Sequence, residues 1–263
     1  MFSVTVLGVQ LYYVLWFFFV FCFLGVIVEL IFGLAEEGVI ESKLGLLYLP
    51  FSPIYGLGGV ILSRFLLPYL REPILMFLMG ILVGTVLEYV ASLVMEKVFK
   101  TVFWDYSDLP LNIQGRVCLQ YSIYWGLLSV LLLYVIDDWT LALVELFPRG
   151  PADVVLGVIC VLTALSIALT LAAFVRLRQK LAALQDGGSG LATPVSGLGR
   201  LVDRLAPDAV VINTFPRMSL ITEYSLATGI EPRSIHVDLR VRSSAGTRPR
   251  IRDRAAGDGR PSA

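Results

Sequence analysis

Histidine is almost missing from this chain, and the sole imidazole, His236, stands outside every long apolar run. A Ser-His relay or a histidine-ligated metal inside the hydrophobic part is therefore excluded. Cysteine is scarce too: Cys22, Cys118 and Cys160 each lie within apolar stretches, which reads as packing and not as a secreted disulfide framework. Charged residues make up 16% of the 263 positions against 57% hydrophobic ones, and mean hydropathy is +0.78. A membrane is the solvent that such a composition fits. No Gly-rich loop followed by Lys-Ser or Lys-Thr occurs, so any ATP-driven activity needs a separate ATPase subunit. No Lys or Arg precedes the first apolar run, and no small-residue cleavage site follows it before Glu36 and Glu37. The first helix is expected to stay in the mature protein.

The net charge of zero conceals a division. Residues 1–175 carry 7 Lys/Arg against 13 Asp/Glu, whereas 176–263 carry 14 against 8. An acidic, apolar body (1–175) is followed by a basic tail (176–263), which is either simply solvated or meets anionic lipid or an acidic protein. Nucleic acid is not an expected partner, and no cofactor or metal is expected.

Crossing the hydrocarbon takes roughly 20 apolar residues. Leu11 to Leu34 meets that length with Glu29 as its only charge. Pro53 to Leu70, interrupted by Arg64 and Pro68, fits a tilted, kinked or partly re-entrant span. Pro73 to Phe99, Val117 to Ile136 and Asp153 to Val175 complete the set. Between the last two, Thr140 to Phe147 is too short to cross and is expected at the interface, with Trp139 as an aromatic anchor. The expected fold class is thus all-α: a polytopic bundle of about five transmembrane helices, a short interfacial helix and a largely disordered basic tail. Lys97, Lys100 and Arg116 flank one loop, and Arg176, Arg178 and Lys180 follow the last span. The positive-inside rule puts both on the cytoplasmic side, with the N-terminus outside and the tail cytoplasmic. In the tail, Asp186 to Gly190 reads as a flexible linker, Leu198 to Leu205 as an amphipathic helix, Ala209 to Phe215 as a short strand, and the chain from Ser243 on as disordered. Too little apolar area is available there for an independent core.

Ionisable groups within spans are costly and mark candidate functional sites. Cys22, Gly25, Glu29 and Gly33 share one helix face, and Gly80, Gly84, Glu88 and Ser92 repeat the arrangement at steps of four. Small residues at that spacing admit a second helix closely. Glu29 and Glu88 are therefore expected to meet in the bundle interior; the bland alternative is that each reaches headgroup water or satisfies itself on Arg64 or Arg116. Two loops add polar candidates. Leu49-Pro-Phe-Ser-Pro-Ile-Tyr-Gly-Leu-Gly58 places Tyr55 between prolines and glycines where a span begins, which suits a broken or re-entrant path. Trp104-Asp-Tyr-Ser-Asp-Leu-Pro-Leu-Asn-Ile-Gln-Gly-Arg116 gathers Trp104, Asp105, Tyr106, Ser107, Asn112 and Arg116, which by themselves read as an interfacial loop.

Pro-Ile-Tyr-Gly, Leu-Glu-Tyr, Met-Glu-Lys-Val-Phe and Trp-Asp-Tyr-Ser, with Asn-Ile-Gln-Gly-Arg-Val-Cys-Leu after them, follow one another in a fixed order. Over Leu11 to Val175 the sequence resembles bacterial membrane proteins of the putative ABC-transporter type IV, or ABC transporter permease, family. The resemblance implies a multi-pass protein of the bacterial inner membrane and a transport role. It also implies a shared polar signature carried by Glu29, Pro53, Ile54, Tyr55, Gly56, Glu88, Trp104, Asp105, Tyr106, Ser107, Asn112, Gly115 and Arg116. One departure stands out: that family's Asn-Arg-Gly and Gly-Pro elements are replaced by Lys43-Leu44-Gly45 and Leu49-Pro50.

Three readings follow. A permease-like subunit would line a solute or ion path with Glu29, Tyr55, Glu88, Trp104, Asp105, Tyr106, Ser107, Asn112 and Arg116. An intramembrane enzyme on a lipid-linked substrate would use Glu88 or Asp105 as general base and Arg116 to bind phosphate, with oxygen ligands available for a hard cation. A structural or regulatory partner would use the Glu faces for helix packing alone.

Overall fold

The computed structural model describes residues 4–6, 8–37, 39–40, 45–99, 102–185, 197–216, 218–229 and 235–236. Its frame is helical. Among the described residues, four helices have the length and apolarity to cross a membrane: Leu11–Ala35, Pro73–Phe99, Leu119–Leu146 and Arg149–Leu184. We number the helices α1 (Leu11–Phe32), α2 (Pro53–Leu66), α3 (Pro73–Phe99), α4 (Leu119–Leu131), α5 (Asp137–Leu146), α6 (Arg149–Gln185), α7 (Gly197–Leu205), α8 (Asp208–Thr214) and α9 (Ser219–Thr228). Among the described residues, sheet is confined to two antiparallel pairs of two-residue strands, Thr5–Val6 with Val9–Gln10, and Val39–Ile40 with Ile235–His236.

The second expected span, read as tilted, kinked or partly re-entrant, takes the broken form: an irregular stretch followed by a short helix. Helix α2 has 14 residues, or about 21 Å, which is short of a bilayer core. It starts at Pro53, where a missing N–H costs nothing, and that start lies halfway down α1, because the Ser52 amide donates to the Cys22 carbonyl at 3.1 Å. From there α2 runs antiparallel to α1 and ends with the Arg64 guanidinium beside Gly8. The preceding segment, 45–52, has no regular secondary structure. It reaches the middle of the bundle along α6: the Leu47 amide donates to Thr170 Oγ1 at 3.1 Å, and Ser166 Oγ donates to the Leu47 carbonyl at 2.5 Å. The side chains of α6 thus satisfy backbone groups that lipid could not.

One correction concerns 137–146. Instead of a separate interfacial piece, α5 continues α4 through a π-helical segment, Leu132–Ile136, so one helix spans Leu119–Leu146. Ser63 Oγ donates to Asp137 Oδ1 at 2.9 Å, which gives the carboxylate at the start of α5 a partner on α2. Its other end packs Val144 with Tyr12 of α1 and Ala152 and Leu156 of α6, so α1 and α6 begin at the same end of the bundle and run parallel.

The small residues noted in the sequence let the helices approach. On α3, Gly80 and Gly84 face Ser129 and Trp125 of α4 so closely that added Cβ atoms would fall 2.6 and 2.5 Å from those side chains. Thr85 Oγ1 donates to Ser122 Oγ at 2.7 Å across the same seam. On α1, Cys22 and Gly25 receive Gly56 and Tyr55 of α2.

The tail differs most from expectation. The stretch expected as a strand at 209–215 is helix α8, and α7, α8 and α9 bury Val202, Ile212, Phe215 and Ile221 against Phe174 and Leu177 of α6. Packing on α6, which runs past the expected boundary at 175 as far as Gln185, supplies the apolar surface that the segment lacks by itself. The expected linker 186–190 and the stretch from Ser243 lie outside the described residues. Ion pairs fix the docking: Arg176 and Lys180 both reach Asp203 at 2.9 Å, Lys180 also reaches Asp208 at 2.7 Å, and the Tyr224 hydroxyl donates to Asp208. The Arg176 hydrogen bonds, with those from Lys180, hold the Asp203 carboxyl below its ordinary value. A depressed carboxyl stabilises the fold above its unfolded pKa of about 4. This contribution is then lost as pH falls further, through the folded value. Thermal unfolding followed between pH 6 and pH 3 is expected to show it, with an Asp203→Asn variant less responsive.

Candidate functional site

Glu88, on α3, is 7% exposed, yet both carboxylate oxygens have partners. The Tyr106 hydroxyl donates to Oε1 and Trp125 Nε1 donates to Oε2, each at 3.1 Å. Both donors are neutral, so they hold the carboxylate without cancelling its charge. Trp125 belongs to α4 and is brought in by the close α3–α4 seam at Gly84. The Tyr55 ring stacks on Trp125, with centroids 5.9 Å apart and planes at 28°. The Tyr55 hydroxyl in turn donates to Glu29 Oε1 on α1. Glu29, Tyr55, Trp125, Glu88 and Tyr106 thus form one polar and aromatic line through four helices and a loop. Tyr121 extends it by stacking on Tyr106 at 4.4 Å and 12°, and Phe32 packs against Tyr121 and Tyr124.

The loop before α4 exists to present Tyr106. Asp105 Oδ1 accepts from the Ser107 amide at 2.9 Å and the Ser107 hydroxyl at 2.6 Å, an Asx-type turn. Those two bonds hold the exposed Asp105 carboxyl below its ordinary value. Asn112 donates to the carbonyls of Ser107 and Leu109, and its own oxygen accepts from the Gly115 amide at 3.1 Å. The Tyr106 amide donates to the Gly115 carbonyl at 2.7 Å. Burial pushes the Tyr106 phenol well above its ordinary value, and the Glu88 charge adds to this.

Gly115 is required by this turn. Its φ of +66° lies in the left-handed region, and an added Cβ would sit 2.4 Å from Asp105 Oδ1 and 2.5 Å from Ser107 Oγ. Gly115→Ala is expected to cost about 1–2 kcal/mol from backbone strain alone, and the clash adds to it. A lower melting temperature and a red-shifted Trp104 emission would report the loosened loop.

Arg116 does not join the two central carboxylates. It pairs with Glu96 and donates to Ser92 Oγ at 3.1 Å, eight and four residues along α3 from Glu88. Trp104 Nε1 donates to the Arg116 carbonyl at 2.9 Å, which ties the two ends of the loop together. Asp105, Ser107 and Asn112 are spent on the loop's own hydrogen bonds. Of the nine residues singled out from the sequence, Glu29, Tyr55, Glu88 and Tyr106 come together, while Trp104, Asp105, Ser107, Asn112 and Arg116 position them. Among the described residues no group of three or more His, Cys, Asp or Glu side chains could hold a metal.

The family described as Putative ABC-transporter type IV matches residues 16–171. The chain belongs to that family. No curated protein and no solved structure matches the chain. This member of the type IV family is a multi-pass membrane protein, and each residue of the polar line falls within the matched region, whereas α7, α8 and α9 lie beyond it.

Sequence reasoning missed Trp125 and Tyr121. A signal was present, since Trp125 stands well inside its span instead of at an interface, between Ser122, Gly126 and Ser129 on one helix face. A tryptophan at such depth needs a partner for its N–H, and a buried carboxylate on the neighbouring helix is one.

Proposed function

We propose that the chain is a membrane transport protein, a permease-like subunit whose solute or ion path follows the line from Glu29 through Tyr55 and Trp125 to Glu88 and Tyr106. The observation that carries this reading is the linking of two carboxylates on different helices, Glu29 and Glu88, through Tyr55 of a helix that begins in mid-bundle and through Trp125. Intramembrane carboxylates held by neutral donors are suited to exchanging a proton or cation. Discontinuous helices beside such groups are the recurring construction of transporter binding sites. Arg116, paired with Glu96 at the end of the α3–α4 seam, offers a cationic group at the mouth of that line.

Orientation follows the charge distribution: the tail and the 97–116 loop face the cytoplasm, and the N-terminus lies outside the bacterial inner membrane. ATP-driven operation would draw on a separate ATPase subunit. The test is made in proteoliposomes loaded with a defined mixture of small solutes, whose retained contents are quantified by mass spectrometry. Wild-type vesicles are expected to lose at least one solute class that protein-free vesicles keep, and Glu88→Gln vesicles are expected to keep it. Conversion of a lipid-linked substrate by the purified protein in detergent, with no gradient present, would replace this reading by an enzymatic one.

A further inference from the structure

The helices beyond the family-matched region touch the chain at a sensitive place. Leu47, fully buried, belongs to the same apolar cluster as Phe174 and Leu177 of α6, Val202 of α7 and Ile212 of α8. Its neighbour Tyr48, held at a left-handed φ of 64°, donates its hydroxyl to the Leu205 carbonyl at 2.6 Å. Leu205 is the last residue of α7, so Tyr48 caps a carbonyl that the helix itself cannot satisfy. Four residues after Tyr48 the chain reaches Ser52 and the start of α2, and three further on stands Tyr55, which contacts both Glu29 and Trp125. A fixed Tyr48 therefore fixes the origin of the helix that carries Tyr55.

The docking has the character of a latch. Asp203 of α7 is gripped by Arg176 through two nitrogens, at 3.3 and 2.9 Å, and by Lys180. Asp208 of α8 takes Lys180 and the Tyr224 hydroxyl. A merely solubilising cover over an apolar helix end would not need oriented, partly buried charge pairs; one specific seat does.

We propose that residues 197–229 act as an intramolecular clamp on the re-entrant segment 45–52, holding it against α6 and thereby setting the position of Tyr55 in the polar line. Releasing α7 and α8 from α6 strips part of the packing from Leu47, which then keeps only its bonds to Thr170 and Ser166, removes the acceptor of Tyr48, and so loosens the start of α2. The clamp itself is independent of what the protein transports; its effect on activity rests on the transport reading above.

Amide hydrogen exchange read by mass spectrometry tests it on the full chain in lipid nanodiscs. In an Asp203→Asn/Asp208→Asn variant, peptides covering 45–52 are expected to exchange at least tenfold faster than in wild type, with α3 peptides unchanged. Faster exchange in 197–215 with 45–52 unchanged would overturn the clamp. Should α3 also lose protection, the Tyr48→Phe variant decides, because it deletes one hydrogen bond and no charge. A rise of threefold or more in 45–52 supports the proposal, and no rise overturns it. In the vesicle assay, a loosened segment with unaltered flux would remove the regulatory consequence while leaving the clamp. Absence of flux from wild type would instead remove the transport reading and leave the exchange result standing.

Discussion

Gly56→Ala is expected to lower the melting temperature of the purified protein by about 5–10 °C, although it adds a single methyl group. The methyl carbon would lie 2.3 Å from Cys22 Sγ and 2.7 Å from the Phe18 carbonyl oxygen. A thiol can rotate away, but a backbone carbonyl in mid-helix cannot, so α2 must move off α1. Overpacking of this kind costs about 1–3 kcal/mol, and for a protein of this size each 1 kcal/mol is worth roughly 2–4 °C. Two controls separate the clash from any general intolerance. Cys22→Ala added to Gly56→Ala removes the sulfur contact and leaves the carbonyl one, so partial recovery is expected. Gly157→Ala, in α6 with nothing within 4 Å of the new methyl, is expected to leave stability unchanged or raise it by up to about 1 kcal/mol, as glycine is the poorer helix former.

Substitutions of Glu88 are expected to divide stability from function. In Glu88→Leu, the Tyr106 hydroxyl and the Trp125 indole N–H lose the oxygens that they reach at 3.1 Å. Each donor left without an acceptor in the interior costs about 1–3 kcal/mol, and measured interhelical bonds in membrane proteins lie at or below the lower end of that range. A melting temperature lowered by several degrees is therefore expected. Glu88→Gln keeps one carbonyl oxygen and nearly the same volume, so the fold is expected to persist while flux through the vesicle membrane falls to the level of protein-free controls. Equal loss of fold in both variants would make Glu88 a packing residue, and unimpaired flux in Glu88→Gln would take its charge out of the mechanism.

How much of this could be read in the sequence depended on how local the cause was. Long apolar runs identify α1, α3 and α6 because spanning is a matter of length and hydropathy alone. The repeats Gly80-Gly84-Glu88-Ser92 and Cys22-Gly25-Glu29 mark packed faces because helical period fixes which residues share a side. Helix α2 is shorter than the run Pro53 to Leu70 because Leu67 to Leu70 prolongs the hydropathy past the helix end, and its entry in mid-bundle depends on Ser52 reaching the Cys22 carbonyl, which no local pattern marks. Asp137 to Leu146 was taken for an interfacial piece because Asp137 and Asp138 interrupt the apolar run, yet Asp137 finds Ser63 on another helix. In the tail, Ala209 to Phe215 carries β-branched residues that favour a strand, and packing against Leu177 and Phe174 overrides that preference. The pairing of Tyr55 with Trp125 has no local signature, since it arises only after two separate helix seams have closed.

Cysteine accessibility at position 88 tests most directly whether the polar line is a path open to water during the protein's working cycle. In a background with Cys22, Cys118 and Cys160 replaced, Glu88→Cys is treated in vesicles with a water-soluble, membrane-impermeant methanethiosulfonate. Val86→Cys and Val90→Cys, whose side chains face outward from the bundle, serve as lipid-facing references. Modification of Cys at 88, with both reference positions inert, is the result expected of a solute path through the bundle. A position 88 as unreactive as its two lipid-facing neighbours, in protein that retains its fold, would contradict it.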